Sequence, residues 1–251
     1  MKIRKLIASV STALAMMAGG QAQADVVQLG FILDSSGSIG SGNWTTIVNG
    51  LKDAVNTWIP TNSTYEVSVV RFSSTASLDI DSFLVTDIAS RTALSNQIGA
   101  LSFLGGSTDY AAAFSTMQNA LFGATELPTS ASYVNFATDG VPNSSADGIT
   151  ARDALIAAGV DNISIEGIGT GINTAYLQGS ICYPQACDDT SPYNFPTQGF
   201  YIGVADANAY AAAIGNKLQV VTNQVPEPNA LALVGLALLG AGFVRRQGLK
   251  G

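Results

Sequence analysis

Histidine occurs nowhere in the 251 residues. Its absence removes every imidazole general base and both the Ser-His-Asp and Cys-His nucleophile arrangements. No Gly-rich loop is followed by Lys-Ser or Lys-Thr, so the chain carries no P-loop. A carboxylate-pair hydrolase is formally open, yet no residue pattern points to one, and the expectation is a protein that is not an enzyme. Positive charge is also scarce. Of the 11 Lys and Arg, three fall within residues 2–5 and three are Arg245, Arg246 and Lys250. Residues 25–225 keep only Lys52, Arg71, Arg91, Arg152 and Lys217 against 17 of the 18 acids, a net charge near −12. A phosphate backbone needs Lys/Arg patches, so nucleic acid is excluded as a partner. An acidic surface favours cations and solubility. There are only two cysteines, Cys182 and Cys187. They read as a local disulfide staple or as a redox or metal pair. Without histidine the set of zinc ligands is thin, and the staple is the favoured reading.

Residues 1–24 have the three parts of an export signal in order. Lys2, Arg4 and Lys5 are the basic start, Leu6–Met17 is mostly apolar, and Ala22-Gln23-Ala24 is a small-x-small cleavage site. The mature chain is expected to begin at Asp25, in an oxidising compartment. Residues 25–224 are enough for one domain with a full core.

Within that domain strands and helices alternate. Val26–Leu33, Tyr65–Phe72, Tyr133–Ala137, Ile163–Ile168 and Phe200–Val204 read as strands, with a short edge strand at Ser77–Ile80. Trp44–Ile59 is an amphipathic helix, with Trp44, Ile47, Leu51, Val55 and Trp58 on one face and Pro60 at its end. Ile88–Leu101, Thr108–Phe122, Ile149–Ala158 and Ala207–Val220 are further helices. The pattern predicts an α/β fold: a doubly wound, mostly parallel central sheet flanked by helices on both faces, Rossmann-like. Ligands in such sheets bind outside the carboxyl ends of the strands, at a switch in strand order.

Three loops fall at that edge. The apolar run ending at Leu33 stops at Asp34-Ser35-Ser36-Gly37-Ser38, with Gly37 and Gly40 leaving room to turn. Gly105-Gly106-Ser107-Thr108-Asp109 opens a helix. Thr138-Asp139-Gly140 follows a strand. Asp34, Ser36, Ser38, Thr108 and Asp139 are hard oxygen donors, suited to Mg²⁺, Mn²⁺ or Ca²⁺. Each loop has a plainer reading: Asp34 as a helix cap, Thr108 as an N-cap worth about 1 kcal/mol, Asp139-Gly140 as an ordinary turn. Three together at one edge favour a joint site.

Those three motifs resemble the von Willebrand factor type A domain. That family carries Asp-x-Ser-x-Ser after its first strand, a Thr in a Gly-rich loop, and an Asp in a Thr-Asp-Gly turn, which form a metal-ion-dependent adhesion site. The resemblance implies that Ser36, Ser38 and Thr108 touch the ion directly, with Ser107 as the fallback should the loop register differ. It implies that Asp34 and Asp139 hold the ion largely through water. Few direct carboxylates leave the ion electrophilic, so a partner's carboxylate can complete its shell. No general base stands beside it; Asp109 reads as first-turn charge for its own helix.

Residues 169–199 form a long loop with Cys182, Cys187, Asp188, Asp189, three prolines and the aromatics Tyr183, Tyr193 and Phe195. Loops of this length are usually functional or disordered. Coming after a strand that ends near Ile168, this one is expected on or beside the metal face, either shaping partner choice or as an inert insertion pinned by its cysteines. In 225–251, Pro226-Glu227-Pro228 precedes a 15-residue apolar run, Ala230–Val244, and then Arg245-Arg246. That run is short for a membrane span, which takes about 20 residues, and the arginines would stay cytoplasmic. This tail resembles the PEP-CTERM sorting signal. The resemblance implies a Gram-negative bacterium, transient anchoring in the inner membrane by the C-terminal helix, processing near 226–228 by an exosortase, and delivery to the cell surface or an exopolysaccharide matrix. The functional expectation is a metal-dependent adhesion module whose partner is a protein or polysaccharide bearing a carboxylate, in a biofilm or matrix. The alternative is a structural matrix protein in which the ion only stabilises the domain.

Overall fold

A computed structural model describes residues 26–123, 129–184 and 186–223. The export signal and the sorting tail, with Pro226, Glu227, Pro228, Arg245 and Arg246, lie outside the described residues.

Six strands form one sheet: β1 (Val26–Asp34), β2 (Tyr65–Phe72), β3 (Ala76–Val85), β4 (Thr129–Thr138), β5 (Asn162–Ile168) and β6 (Tyr201–Val204). Their order is β3-β2-β1-β4-β5-β6, parallel except for β3. All nine residues of β1 are buried, because both faces of this central strand are covered. The helices are α1 (Gly40–Trp58), α2 (Ile88–Gly99), α3 (Tyr110–Leu121), α4 (Ser145–Ala158), the single turn α5 (Thr174–Tyr176), which runs on into a π-helical turn at Leu177–Ile181, and α6 (Ala207–Asn223). Helices α1, α2 and α6 close one face over Leu29, Phe31 and Leu33. Helices α3 and α4 close the other over Ile32, Val134 and Phe136. The period of two along β1 divides the two cores.

The doubly wound sheet read from the sequence is therefore the observed architecture. The differences lie at element ends. Helix α1 starts four residues before Trp44, through Gly40, whose φ of +71° suits glycine. Helix α3 starts at Tyr110 rather than Thr108, because the Asp109 carboxylate caps it by accepting from Ala112 N at 3.0 Å. Ser144 caps α4 in the same way, accepting from Asp147 N, and moves its start ahead of Ile149. The edge strand β3 is longer than Ser77–Ile80. Its outer residues are polar, and a bulge at Ser82 (φ 45°) breaks the alternation that would reveal its second half. Asp79 and Asp81 sit on this exposed edge, a usual defence against edge-to-edge pairing.

The segment after β5 departs most from expectation. Its first part stays by the carboxyl edge, where Tyr176 stacks on Tyr110 and donates to Ser145 O at 3.1 Å. The chain then turns back. Tyr183 bridges Ile163 in antiparallel fashion, and Asn162 Nδ2 donates to Pro196 O and Gln198 O at 3.1 and 3.0 Å. The Cys182–Cys187 disulfide is formed, and Cys182 lies against Ile163. Ile163 is near the amino end of β5, roughly 16 Å along the strand from Ile168 at ~3.3 Å per residue. The cysteines, Tyr193 and Phe195 thus brace the opposite end of the sheet. The expectation that the whole segment borders the metal face is corrected: only its first turn does, because hydrogen bonds to β5 draw the rest away.

Candidate functional site

The switch in strand order falls between β1 and β4, whose carboxyl ends carry Asp34 and Thr138-Asp139. Asp34 is buried. Its Oδ1 accepts from Ser36 N at 2.8 Å and its Oδ2 from Thr138 Oγ1 at 2.6 Å. The Ser36 and Ser38 hydroxyls are 3.0 Å apart, and Ser38 donates to Asp139 Oδ1 at 2.7 Å. A Cβ built on Gly140 would lie 3.2 Å from Thr108 Oγ1 and 3.6 Å from Asp34 Oδ2, so these two oxygens border one small space. All five sequence-predicted residues, Asp34, Ser36, Ser38, Thr108 and Asp139, gather at this point. Exposure rises outward from buried Asp34, Ser36 and Thr108 through half-buried Asp139 to exposed Ser38. Ser107 is exposed and turned to Ser74 and Asn143, so the fallback register is not the one adopted.

The loops hold one another. Gly37 N donates to Gly106 O and Gly105 N to Ser35 O, at 2.8 and 2.9 Å. Gly106 has φ +99°, and a side chain there would run into Ser74 Oγ at 2.6 Å. Sequence reasoning missed several residues that set this geometry. Ser35 Oγ accepts from Leu104 N at 2.9 Å. Asn143 accepts from Thr108 N at 3.2 Å, and its own N donates to Thr108 O at 2.8 Å. The Tyr110 hydroxyl, buried beneath the site, donates to Gly140 O at 2.9 Å and lies 3.1 Å from Thr138 Oγ1. Arg71 pairs bidentately with Asp79 at 2.9 Å and donates to Ser102, bracing the approach to the Gly105-Gly106 turn. A polar residue in the turn after Asp139-Gly140 was the available signal for Asn143; nothing local marked Tyr110 as more than core.

Burial raises the Asp34 carboxyl to about 6; hydrogen bonds from Ser36 and Thr138 oppose the rise, and the charge of Asp139 adds to it. Burial also raises Asp139, against its bond from Ser38. Among the described residues the three ion pairs are Arg71–Asp79, Arg152–Asp153 and Lys217–Glu166, and none reaches Asp34 or Asp139. No group of three His, Cys, Asp or Glu forms a metal cluster among the described residues. The donors here are two carboxylates and three hydroxyls. Such a hard, oxygen-only set with two neighbouring acids and no ion-paired Lys or Arg among the described residues fits a divalent ion of the Mg²⁺, Mn²⁺ or Ca²⁺ type.

A doubly wound sheet with hydroxyl and carboxylate loops at its switch point defines a class of α/β domains whose ligand sites lie at the carboxyl edge of the sheet. The family model described as the von Willebrand factor type A domain matches residues 28–196, and the chain belongs to that family. Residues 224–246 match the PEP-CTERM protein-sorting motif, which indicates exosortase-dependent sorting to the cell surface in Gram-negative bacteria. No curated protein matches the chain by sequence. Among solved structures it is similar to proximal thread matrix protein 1 from the mussel byssus (TM-score 0.60, 19% identity, 79% of this chain and 48% of that one). A further form of that mussel protein has zinc in its MIDAS motif. It is also similar to the pilus adhesin SpaC from Lactobacillus rhamnosus GG (TM-score 0.58, 14% identity, 80% and 31%). Manganese-loaded TRAP protein from Plasmodium vivax is a third (TM-score 0.55, 26% identity, 78% and 74%). The chain thus spans about half the length of the mussel protein.

Proposed function

We propose that the protein is an exported surface or matrix adhesin that binds a divalent cation at its β1/β4 edge and, through it, a carboxylate-bearing partner. The observation that carries this reading is the gathering of the Asp34 and Asp139 carboxylates with the Ser36, Ser38 and Thr108 hydroxyls at one sheet edge, with no Lys or Arg ion-paired to either acid among the described residues. Two acids so placed repel unless a cation joins them. Ser36, Ser38 and Thr108 would hold the ion, with Asp34 and Asp139 orienting its water and the serines. When bound, the ion supplies an electrophilic position that a partner's carboxylate can complete. The protein's own residues do the remainder: Tyr110, Thr138 and Asn143 hold the loops rigid, and exposed Ser38 leaves the mouth of the site open. Leu104 and Val141, large apolar side chains 43% and 54% exposed, stand in two of the three loops and offer partner contact beside the ion. Zinc in the MIDAS motif of the mussel protein and the manganese loaded into the Plasmodium protein support the reading by analogy.

The mussel relative is a matrix protein, and this supports a second reading in which the ion only stabilises the domain. Capture on a carboxylated polysaccharide separates the two. Adhesion through the ion requires capture in Mg²⁺, release in EDTA, and no capture of Asp34→Asn. Equal capture with and without chelator would refute it.

A further inference from the structure

A second cluster of polar groups lies away from the loops, in the core between the sheet and α6. Glu166 on β5 and Lys217 on α6 are buried, and their Oε1 and Nζ are 2.8 Å apart. Neither completes a hydrogen bond of good geometry. Asn135 on β4 lies on the same face. It is opposite Ser164 in register and so diagonal to Glu166, and its carboxamide rests against the Glu166 carboxylate. Both amide atoms of Asn135 are buried without a well-formed hydrogen bond. Asn135 and Lys217 line the same small cavity, about 20 Å³, with Leu29, Phe31, Phe195 and Val221. That is room for one water-sized molecule. The Lys217 amine sits 4.8 Å over the ring of Phe200, and the buried Tyr210 hydroxyl is also without a hydrogen-bond partner.

Unsatisfied buried polar groups are costly, and a native core holds few of them. Here an amine, a carboxamide and a carboxyl meet in a water-poor, aromatic pocket. Burial raises the Glu166 carboxyl and lowers the Lys217 ammonium, drawing both towards their neutral forms. A neutral lysine amine is a nucleophile.

We propose that Lys217 and Asn135 are joined by an intramolecular isopeptide bond, formed in the folded core with Glu166 as the proton carrier. The Lys217 amine attacks Asn135 Cγ, and the new Nζ–Cγ bond forms as the carbonyl electron pair moves to oxygen. Glu166 hydrogen-bonds that oxygen, takes a proton from the attacking nitrogen and delivers one to Asn135 Nδ2. The Cγ–Nδ2 bond then breaks and ammonia leaves. Amine plus primary amide becomes secondary amide plus ammonia, Glu166 ends in the protonation state in which it began, and no oxidant or other reactant is needed. The product ties β4 to α6, and its apolar surroundings shield it from hydrolysis.

The test is the mass of the folded, purified full chain under denaturing conditions, followed by proteolysis. An isopeptide bond lowers the mass by one ammonia, beyond the two hydrogens lost to the disulfide, and yields a branched peptide joining the segments that contain Asn135 and Lys217. Lys217→Met and Glu166→Gln should each retain the ammonia. Wild-type protein settles the matter even if those variants fold poorly. Recovery of the Asn135 and Lys217 segments as separate linear peptides overturns the proposal, as does a loss of ammonia that maps elsewhere.

Discussion

Two carboxylates on the same sheet are buried in different ways. Glu166 lies in the middle of the core with the Lys217 nitrogen 2.8 Å away, so it is answered inside the molecule by a fixed partner. Asp34 lies at the strand's carboxyl end, answered only by hydrogen bonds from Ser36 and Thr138, with a second acid beside it. Core acids need a fixed internal partner, because no ion can reach them. An edge acid can be left without one, because solvent and its ions have access past Ser38. The lack of a cation at one place and its presence at the other is what distinguishes a candidate binding site from a structural pair.

The largest effect is expected from breaking the internal pair. Glu166→Leu or Lys217→Met alone leaves an uncompensated buried group and should cost about 3–5 kcal/mol in urea unfolding. The double variant should recover the part of that loss owed to the unpaired buried group and not the part owed to the missing tie between β4 and α6; full recovery would mean that no such tie contributes. Next comes the edge. At a Mg²⁺ concentration 100-fold above its Kd, the wild type should gain about 2.7 kcal/mol by linkage. Asp34→Asn should gain none, and in chelator its stability should lie within about 1 kcal/mol of wild type, since Asn Oδ1 can still accept from Ser36 N and its Nδ2 can donate to Thr138 Oγ1 in place of the bond that hydroxyl gave. A large loss in chelator would place Asp34 with Glu166 as a structural acid. Tyr110→Phe removes the donor to Gly140 O and should cost about 1–2 kcal/mol in the same measurement, while weakening Mg²⁺ binding. Asp153→Ala removes an exposed carboxylate from its pair with Arg152, which keeps its bond to Ser180 O, and should change stability by less than about 1 kcal/mol.

The contrast also marks what is legible in the sequence. Strands β1, β4 and β5 are visible as apolar runs, and the loops after β1 and β4 announce themselves by acids and small hydroxyl residues stopping those runs. All five candidate ligands can therefore be named from residue order alone. Their supports cannot. Asn143 and Tyr110 act through contacts made only when three separate loops meet, and Tyr110 at helical spacing looks like any core aromatic. The Glu166–Lys217–Asn135 cluster is hidden for the same reason. An acid inside the apolar strand Asn162–Ile168 is its one local sign, and its partners lie on another strand and on the last helix. Helix starts depend on Asp109 and Ser144 as caps, which outrank apolar periodicity in setting the boundary. The course of residues 169–199 is hidden because backbone pairing with β5, rather than composition, sends the segment back along the sheet.

The most direct test of a cation site at this edge is calorimetric titration of Mg²⁺, then Mn²⁺ and Ca²⁺, into the wild type, Asp34→Asn and Asp139→Ala, with circular dichroism to check folding. Saturable binding of one ion per wild-type chain, lost in both folded variants, is the expected result. Binding of equal strength in all three proteins would contradict it and place the ion elsewhere.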